Sequence, residues 1–291
     1  MTTTLAVVVL AGLLAAPQQA DTTITIPAGE RLDVHTQGGQ IVVSTWDRQE
    51  VRIEAEYGSR DQIRVTTSGS VVRVRADSRG GIGIVDYRIT TPVGTDLDLG
   101  GLFTEIRVEG APGRVRANTV HGDLEVRGGA GEVSLETVQG QVRIQGVRGT
   151  VHARSVGGQV RIVDVQGPVD AETVSGGVVL ENIRSDRVTA RAVSGNVFYD
   201  GVIEPGGHYA FMSHSGRITL AVPEPLDATV TTAMMSGSLS SSFGGFTTTG
   251  QTRGRRQTFT SGSGNAVVDL ESFSGNIRIV RRGEVSIPPD R

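Results

Sequence analysis

The sequence predicts an all-β protein, a single-stranded parallel β-helix (β-solenoid) with rungs of about 18 residues. Three observations support this fold: a repeated unit, alternation of apolar and polar residues within it, and glycines at regular intervals. A fixed period near 20 residues is typical of a solenoid, in which each repeat buries its apolar face by stacking on its neighbours. Val, Ile and Thr favour strands, and Gly tolerates the positive φ of tight corners.

The repeat is clearest between residues 102 and 192. Copies of 18 residues begin at Val120, Val138 and Val156, a copy with one inserted residue begins at Val174, and a degenerate copy begins at Leu102. Superposing the copies aligns two sets of aliphatic residues, and we expect both sets to form columns that point into the coil. One column is Val120, Val138, Val156, Val174 and Val193, and the other is Leu124, Val142, Val160, Val178 and Val197.

Two other folds use similar patterns. A meander of hairpins has the same alternation, but identical rungs in the same phase favour parallel stacking, which pairs like residues at about 4.8 Å per rung. The left-handed hexapeptide helix also has an 18-residue turn and needs an aliphatic residue at every sixth position. Glu132 and Thr150 occupy such positions, which disfavours it. The sequence leaves the handedness of the coil open.

Residues 1–20 are predicted to be a signal peptide. The apolar run from Leu5 to Ala16 has the length of a signal-peptide core and is too short to span a bilayer. The first four residues carry no basic group, and cleavage after Ala20 puts Gln18 at the −3 position, so a misassigned start codon or an uncleaved anchor are alternatives. We expect an exported protein, periplasmic, cell-surface or extracellular, without an integral membrane segment in the mature chain. The absence of cysteine excludes lipoprotein attachment and disulfides.

The remaining chain is divided by the quality of its repeat. Residues 21–101 keep the alternation but lose the period, which predicts an N-terminal β-cap with atypical rungs. Residues 102–282 are predicted to be solenoid repeats, with long corner loops after residue 200 and a Gly/Ser/Thr-rich loop at residues 236–263. Residues 283–291 are predicted to be a disordered tail. The single tryptophan, Trp46, is expected to plug the open N-terminal end.

The sequence predicts no catalytic residue, no cofactor-binding residue and no metal ligand, and hence no cofactor. The outward positions of the repeat form columns of alternating sign, which is typical of a solvated ladder. Asp164, Asp170 and Glu172 are the nearest approach to an acidic cluster, and their repeat positions predict different sides of the coil. The histidines are dispersed, although His208 and His214 flank a strand-like segment and can approach each other. The first column of outward positions contains Glu125, Arg143, Arg161, Val179 and Phe198. The second contains Asn118, Glu136, Arg154, Glu172 and Arg191.

A recurring V-S-G-x-V phrase, seen in SGGVVL, SGNVFY, SGRITL and FSGNIRIV, resembles the bacterial putative-adhesin domain family of β-strand repeats. It is also similar to the related head domain of putative auto-transporter adhesins. The resemblance covers residues 24–280 and implies an exported, repeat-built protein, with no catalytic residue to carry over.

We therefore expect a non-enzymatic, exported β-solenoid that serves as a cell-envelope or surface scaffold and adhesin. Surface glycans or envelope components are the expected partners, and a net charge of −3 argues against nucleic acid. Two alternatives stay open: a carbohydrate-binding or carbohydrate-active β-helix protein (lectin or polysaccharide lyase), and a self-assembling polymer of the bactofilin type. The sequence does not fix the oligomeric state.

Overall fold

The structure, a computed structural model, describes residues 18–26, 30–110, 112–244 and 255–288. Within these ranges the regular structure consists of β-strands without a helix, and most strands pair in parallel. The prediction of an all-β solenoid is confirmed. The chain divides into two compact units, Met1–Gly140 and Gln141–Arg291. Most of the predicted signal peptide, part of the predicted Gly/Ser/Thr-rich loop (245–254) and the last residues of the predicted tail (289–291) lie outside the described residues.

The first unit is built from two rows of strands. Its strands are β1 (Gln18–Thr25), β2 (Arg31–Trp46), β3 (Glu50–Tyr57), β4 (Asp61–Ser68), β5 (Val71–Ser78), β6 (Val85–Pro92), β7 (Asp96–Glu109), β8 (Val115–His121), β9 (Leu124–Arg127) and β10 (Val133–Gln139). One row contains β5, β2, β7, β8 and β10 side by side in parallel. The other contains β6, β2, β7 and β9, also in parallel. The strands β2 and β7 therefore contribute to both rows.

Antiparallel strands close one end of each row in the first unit. β4 pairs with β5 at the end of one row, and β3 with β1 outside it extends the other row beyond β6. Because an antiparallel edge does not offer the register of a parallel rung, these strands protect the open end of the stack. The β-cap that the sequence analysis places in this region corresponds to β1, β3 and β4 alone. The rungs themselves begin at β2, and β7 crosses the boundary predicted after residue 101.

The second unit repeats this plan. Its strands are β11 (Val142–Gln145), β12 (Val151–Ser155), β13 (Val160–Val163), β14 (Val169–Thr173), β15 (Val178–Ala192), β16 (Val197–Ser213), β17 (Ile218–Val222), β18 (Ala228–Ser236), β19 (Leu239–Ser241), β20 (Arg255–Ser261), β21 (Ala266–Ser274) and β22 (Ile277–Arg281). One parallel row runs β11, β13, β15, β16, β17, β22 and β19. The other runs β12, β14, β15, β16, β21 and β18, with β20 antiparallel on β18.

The rungs of the second unit do not follow chain order at its C-terminal end. The rung formed by β21 and β22 comes last in the sequence, yet it lies between the rung of β16 and β17 and the rung of β18 and β19. A third side of the coil is marked by Val147, Val165 and Ile183, each fully buried, and is joined by single parallel bridges.

The core confirms one predicted column and contradicts the other. Leu124, Val142, Val160, Val178 and Val197 are all 0–1% exposed. The column of valines that open the repeats was predicted to point inward, and this prediction is wrong: Val120 is half-buried, and Val138, Val156, Val174 and Val193 are 43%, 47%, 43% and 46% exposed.

Strand parity explains the difference. In β14 the buried residues are Val169, Ala171 and Thr173, so the inward phase ends on a hydroxyl residue and Val174 falls on the outer side of the corner. The buried hydroxyl then serves the corner, because Thr173 Oγ1 donates to the Gly158 carbonyl oxygen at 2.9 Å and accepts from the Gly176 amide at 3.2 Å. The valine was aligned correctly between repeats but assigned to the wrong side.

The chain after residue 200 is more regular than expected. The segment predicted to be a long corner loop lies largely within β16, and Tyr199 and Tyr209 fill the coil there. The Tyr199 hydroxyl donates to the Val202 carbonyl oxygen at 2.9 Å, and the Tyr209 hydroxyl accepts from the Glu204 amide at 2.8 Å. The predicted Gly/Ser/Thr-rich loop contains β19 and β20.

The two termini also differ from expectation. β1 begins at Gln18, so it includes the last three residues assigned to the signal peptide. Residues 283–288 of the predicted disordered tail pack against the second unit, where Val285 contacts an apolar cluster. Trp46 is half-buried at the end of β2, donates from Nε1 to the Glu50 carbonyl oxygen at 2.6 Å and lies under the Arg48 guanidinium. It therefore lies at a turn and does not plug the coil.

Candidate functional site

The outward charges of the second unit form ion pairs between adjacent rungs. Glu172 lies between Arg154, at 3.1 Å, and Arg191, at 2.6 Å. Arg161 pairs with Glu181 at 2.8 Å. The alternation of sign predicted from the sequence is therefore a ladder of compensated charges.

The acidic cluster considered from the sequence is arranged differently from the prediction. Asp170 and Glu172 lie on the same outer face of β14, so the expectation that they occupy different sides is wrong for this pair. Arg191 Nη1 reaches both carboxylates, at 3.6 Å from Asp170 and 2.6 Å from Glu172, and His152 lies 3.8 Å from Asp170. Asp164 is on a corner, with a positive φ of 56°. An acidic pair clamped by an arginine is suited to holding rungs together.

The histidines are not brought together. His208 and His214 are separated by one extended segment of β16, about 20 Å at the rise of a strand, so these two side chains do not approach each other. In the first unit, His35 Nδ1 lies 2.9 Å from Asp33. Among the described residues, no group of three or more His, Asp or Glu side chains is placed to hold a metal ion.

Asp33 of the first unit is a carboxylate held by two arginines. It receives Arg73 Nε at 3.2 Å and Arg75 Nη2 at 2.9 Å, and its side chain is 11% exposed. Burial alone would raise the pKa of Asp33, but the hydrogen bonds from Arg75 and Arg73 outweigh it and hold the pKa below its usual range. The group is thus an ionised anchor between β2 and β5.

An exposed column of apolar and aromatic side chains in the second unit is not required by the packing of the coil. It comprises the corner residues that precede the Ser-Gly or Gly-Gly pair of each rung, and we call it the ridge: Val156, Val174, Val193, His214, Phe273 and Met235. Phe273 and Met235 are 49% and 53% exposed, respectively, and the valines are exposed to a similar extent. A contiguous exposed apolar row is uncommon on a soluble protein and marks a surface for interaction.

Backbone hydrogen bonds keep the ridge in register. The amides of Ser175 and Ser194 donate to the carbonyl oxygens of Val156 and Val174, at 2.9 Å and 2.8 Å. The Ser274 amide donates to the His214 carbonyl oxygen at 2.8 Å. The ridge therefore advances by one residue per rung, about 4.8 Å each time.

The residues beside the ridge separate structural from surface roles. The glycine of each Ser-Gly pair is structural: a Cβ on Gly176, Gly195 or Gly216 would overlap the carbonyl oxygen of the glycine in the preceding rung. The serines are exposed and form a second row parallel to the ridge, the serine column: Ser175, Ser194, Ser215, Ser274 and Ser236. Stacking explains the glycines but not the exposed apolar and hydroxyl rows.

The end of the ridge that lies farthest from Val156 is aromatic and concave. The rings of His214 and Phe273 stack with centroids 4.5 Å apart and an interplanar angle of 9°. A cavity of about 300 Å³ lies beside Phe273 and is lined by Ala233, Met234, Met235, Arg256, Glu271, Ser272 and Phe273. Arg256 and Glu271 are exposed, so the cavity combines an apolar wall with one cationic and one anionic group.

A second apolar surface of this unit is covered. Val179, Phe198, Ala221 and Val280 point outward from their strands but are only 2–4% exposed, and we call them the outer apolar patch. Residues 282–288, the C-terminal segment, lie over the patch through Val285.

Arginine contacts hold the C-terminal segment in place. Arg282 Nε lies 2.7 Å from Asp200, and Arg161 Nη1 donates to the Pro288 carbonyl oxygen at 2.8 Å. Burial raises the pKa of Asp200, although Arg282 opposes the shift. The change from Arg161 to Val179 and Phe198 along one outward column was visible in the sequence as a sign of this covered patch.

Comparison with known proteins gives a family profile and several solved structures. The profile of the Toastrack DUF4097 family matches residues 4–203 and 168–280. A structure of a putative adhesin from Parabacteroides distasonis is 6% identical, with 91% of this chain and 97% of that chain covered and a TM-score of 0.46. A putative adhesin from Bacteroides fragilis is 13% identical, with 92% and 100% covered and a TM-score of 0.30. A putative cell adhesion protein from Clostridium sporogenes is 11% identical, with 92% and 100% covered and a TM-score of 0.22.

No curated protein matches the chain. Within the described residues there is also no helix with the length and apolar character needed to cross a membrane.

Proposed function

The chain belongs to the Toastrack DUF4097 family, and on this premise we propose that it is a non-enzymatic, exported β-solenoid of the cell envelope or cell surface. It serves as a scaffold and adheres to surface glycans or envelope components through the ridge. The observation that carries the proposal is the exposure of one apolar or aromatic side chain at the same corner of successive rungs, where stacking alone requires only the glycine.

The charged groups support binding over catalysis. General acid–base or lyase chemistry needs carboxylates free to exchange protons with a substrate. Asp170 and Glu172, two carboxylates on the outer face of β14, are engaged by Arg191, and Arg154 also holds Glu172. These contacts favour a scaffold over a polysaccharide lyase. A lyase remains testable, since purified protein would then shorten an anionic polysaccharide and lose this activity in the Asp170→Asn variant.

The strand order also bears on the polymer alternative. End-to-end growth of the bactofilin type requires an open parallel rung, whereas β20 covers β18, one of the two strands of the last rung, with an antiparallel strand. This arrangement favours a protein that presents its sides, including the ridge, over one that polymerises through its ends. Electron micrographs of filaments at high protein concentration would reverse this preference.

The experiment that tests the function combines localisation with adhesion. Cells expressing a C-terminally tagged chain are fractionated, and beads coated with purified protein are tested for attachment to envelope preparations from the same cells. We expect the tag in the envelope or medium, and attachment that falls in the Val174→Ser/Val193→Ser double variant. The matched control is Val267→Ser, because Val267 is 37% exposed on β21 but lies outside the ridge. A cytoplasmic tag, or equal attachment by all three proteins, contradicts the proposal.

A further inference from the structure

We propose that the ridge binds a linear, uncharged polysaccharide of β-1,4-linked pyranose units, with the stacked pair Phe273 and His214 as its anchoring subsite. The inference rests on the proposed function, because it names the partner of the same surface. Four features of the second unit carry it: an aromatic platform, two parallel rows of complementary chemistry, a constant spacing and a balance of charge.

The platform is suited to the face of a sugar ring. His214 stacks on one face of the Phe273 ring, and the side chain is still 49% exposed, so the remaining part of the ring is presented to solvent in a fixed orientation. A pyranose has faces of C–H groups and an edge of hydroxyls, and its C–H face packs on an aromatic ring. Met235, on the adjacent rung, extends the apolar surface, and Arg256 and Glu271 line the same cavity with groups that can hydrogen-bond to hydroxyls.

The two rows match the two chemistries of a flat glycan chain. The ridge offers apolar contacts, and the serine column beside it offers a hydroxyl on each of five rungs. Two of these hydroxyls, on Ser215 and Ser236, already donate to the carbonyl oxygens of Val193 and Phe273, at 3.3 Å and 3.4 Å, and can still accept. A purely hydrophobic partner, such as a lipid surface, would use the ridge but not the serine hydroxyls. A chain with alternating C–H faces and hydroxyl edges uses both rows at once.

The spacing favours a linear polymer with extended units. Successive ridge residues are separated by one rung, about 4.8 Å. A β-1,4-linked pyranose unit advances its chain by nearly the same distance, so one sugar can lie against each rung over several rungs. An α-1,4-linked chain coils and loses this register. Since each sugar adds a similar contact, affinity should increase with chain length until the ridge is filled.

The charge beside the ridge favours an uncharged partner. The outward column next to it is Arg154, Glu172, Arg191, Met212, Glu271, Ala233 and, on β20, Arg256, so three cations and two anions are interspersed and no two cations lie on adjacent strands. Beyond the serine column, the corner residues are Gln159, Gly177, Asn196, Arg217, Asn276 and Ser238, and only Arg217 is charged. A polyanion such as polygalacturonate or an anionic membrane would meet no basic row here.

The test uses titration calorimetry with the full chain and defined oligosaccharides. The probes are cellohexaose and chitohexaose, with cellobiose, maltohexaose and hexagalacturonate for comparison. We expect both β-1,4 hexamers to bind, cellobiose to bind more weakly than cellohexaose, and the other two hexamers not to bind. Phe273→Ala should weaken hexamer binding about tenfold, in line with an aromatic contact of about 1.4 kcal/mol, and Val174→Ser/Val193→Ser should reduce the gain from cellobiose to cellohexaose.

The controls separate this inference from the proposed function. Val267→Ser should bind as the unaltered chain does, and far-UV circular dichroism shows whether each variant is folded. Failure of both β-1,4 hexamers to bind, or binding that Phe273→Ala leaves unchanged, overturns the polysaccharide inference. If bead attachment is still lost in the ridge variant, adhesion through the ridge stands with a different partner. If attachment is also unaffected, the proposed function fails with it.

Discussion

The assignment of inside and outside in the rung can be tested with one substitution made at two valines. Val160 is 0% exposed and lies between Val142 and Val178 in the inner column, whereas Val156, four residues earlier, is 47% exposed on the ridge. Val160→Asp removes a buried side chain worth about 1.5–3 kcal/mol and leaves a carboxyl group without a partner, which adds a penalty of several kcal/mol. The expected loss of about 4 kcal/mol or more is a large part of the stability of a domain.

Urea denaturation followed by far-UV circular dichroism measures this loss. We expect Val160→Asp to unfold the second unit at a much lower urea concentration, or in its absence, and Val156→Asp to stay within about 0.5 kcal/mol of the unaltered protein. The two variants have the same composition and charge, so differences in solubility or net charge cancel. Equal losses in both variants would refute the assignment of inner and outer columns.

Three further predictions concern the corners, the C-terminal segment and the acid response. In Gly195→Ala the new Cβ would overlap a backbone carbonyl oxygen, so the free energy of unfolding should fall by about 1–3 kcal/mol. Gly244 has open space around it, so Gly244→Ala should leave the free energy of unfolding unchanged. Thermal denaturation of the two variants measures the difference. Val285→Asp should expose the outer apolar patch and increase the fluorescence of the dye ANS, and Ile287→Asp, at an exposed position of the same segment, should not. Because the pKa of Asp33 is lowered in the folded state, its carboxylate stabilises the fold above the unfolded pKa, and this contribution is lost as the pH falls through the folded pKa. Asp33→Asn should therefore lower the melting temperature at pH 7. The melting temperature of this variant should also decline less than that of the unaltered protein below about pH 4.

The sequence was sufficient for the fold class because local pattern and global stacking agree. Glycine corners, period-two strands and 18-residue spacing each require the same rung, and Val142, Val160 and Val178 form the inner column as predicted. Repeats make the inference strong, since each copy tests the phase of the others. The N-terminal cap was predicted only in outline, and β20 lies in a segment that was predicted to be a loop. Antiparallel closing strands such as β4 have the same alternating pattern as a rung, so the sequence does not distinguish them.

The surface site was harder to predict because exposure depends on which residue ends a strand. Thr173 and Val174 are adjacent in sequence. The Thr173 side chain is buried at the inner position that was predicted for Val174, and Val174 is exposed. The stacking of His214 on Phe273 joins residues far apart in sequence, and it exists only because β21 inserts beside β16. The non-sequential order of rungs carries no local signal. The outer apolar patch did have a local signal in the sequence, namely the change from arginine to valine and phenylalanine along an outward column.

Parallel stacking with the inserted rung is tested most directly by distances between spin labels on the ridge. The chain has no cysteine, so the pairs Val156→Cys with Phe273→Cys and Val156→Cys with Met235→Cys each carry only two labels. Residue 273 lies four rungs from residue 156 and residue 235 lies five rungs from it, which predicts Cα separations of about 19 Å and about 24 Å. Pulsed electron paramagnetic resonance should therefore give the shorter distance for the pair that is farther apart in sequence. The reverse order, or distances unrelated to rung number, would contradict the stacked rungs on which the ridge depends.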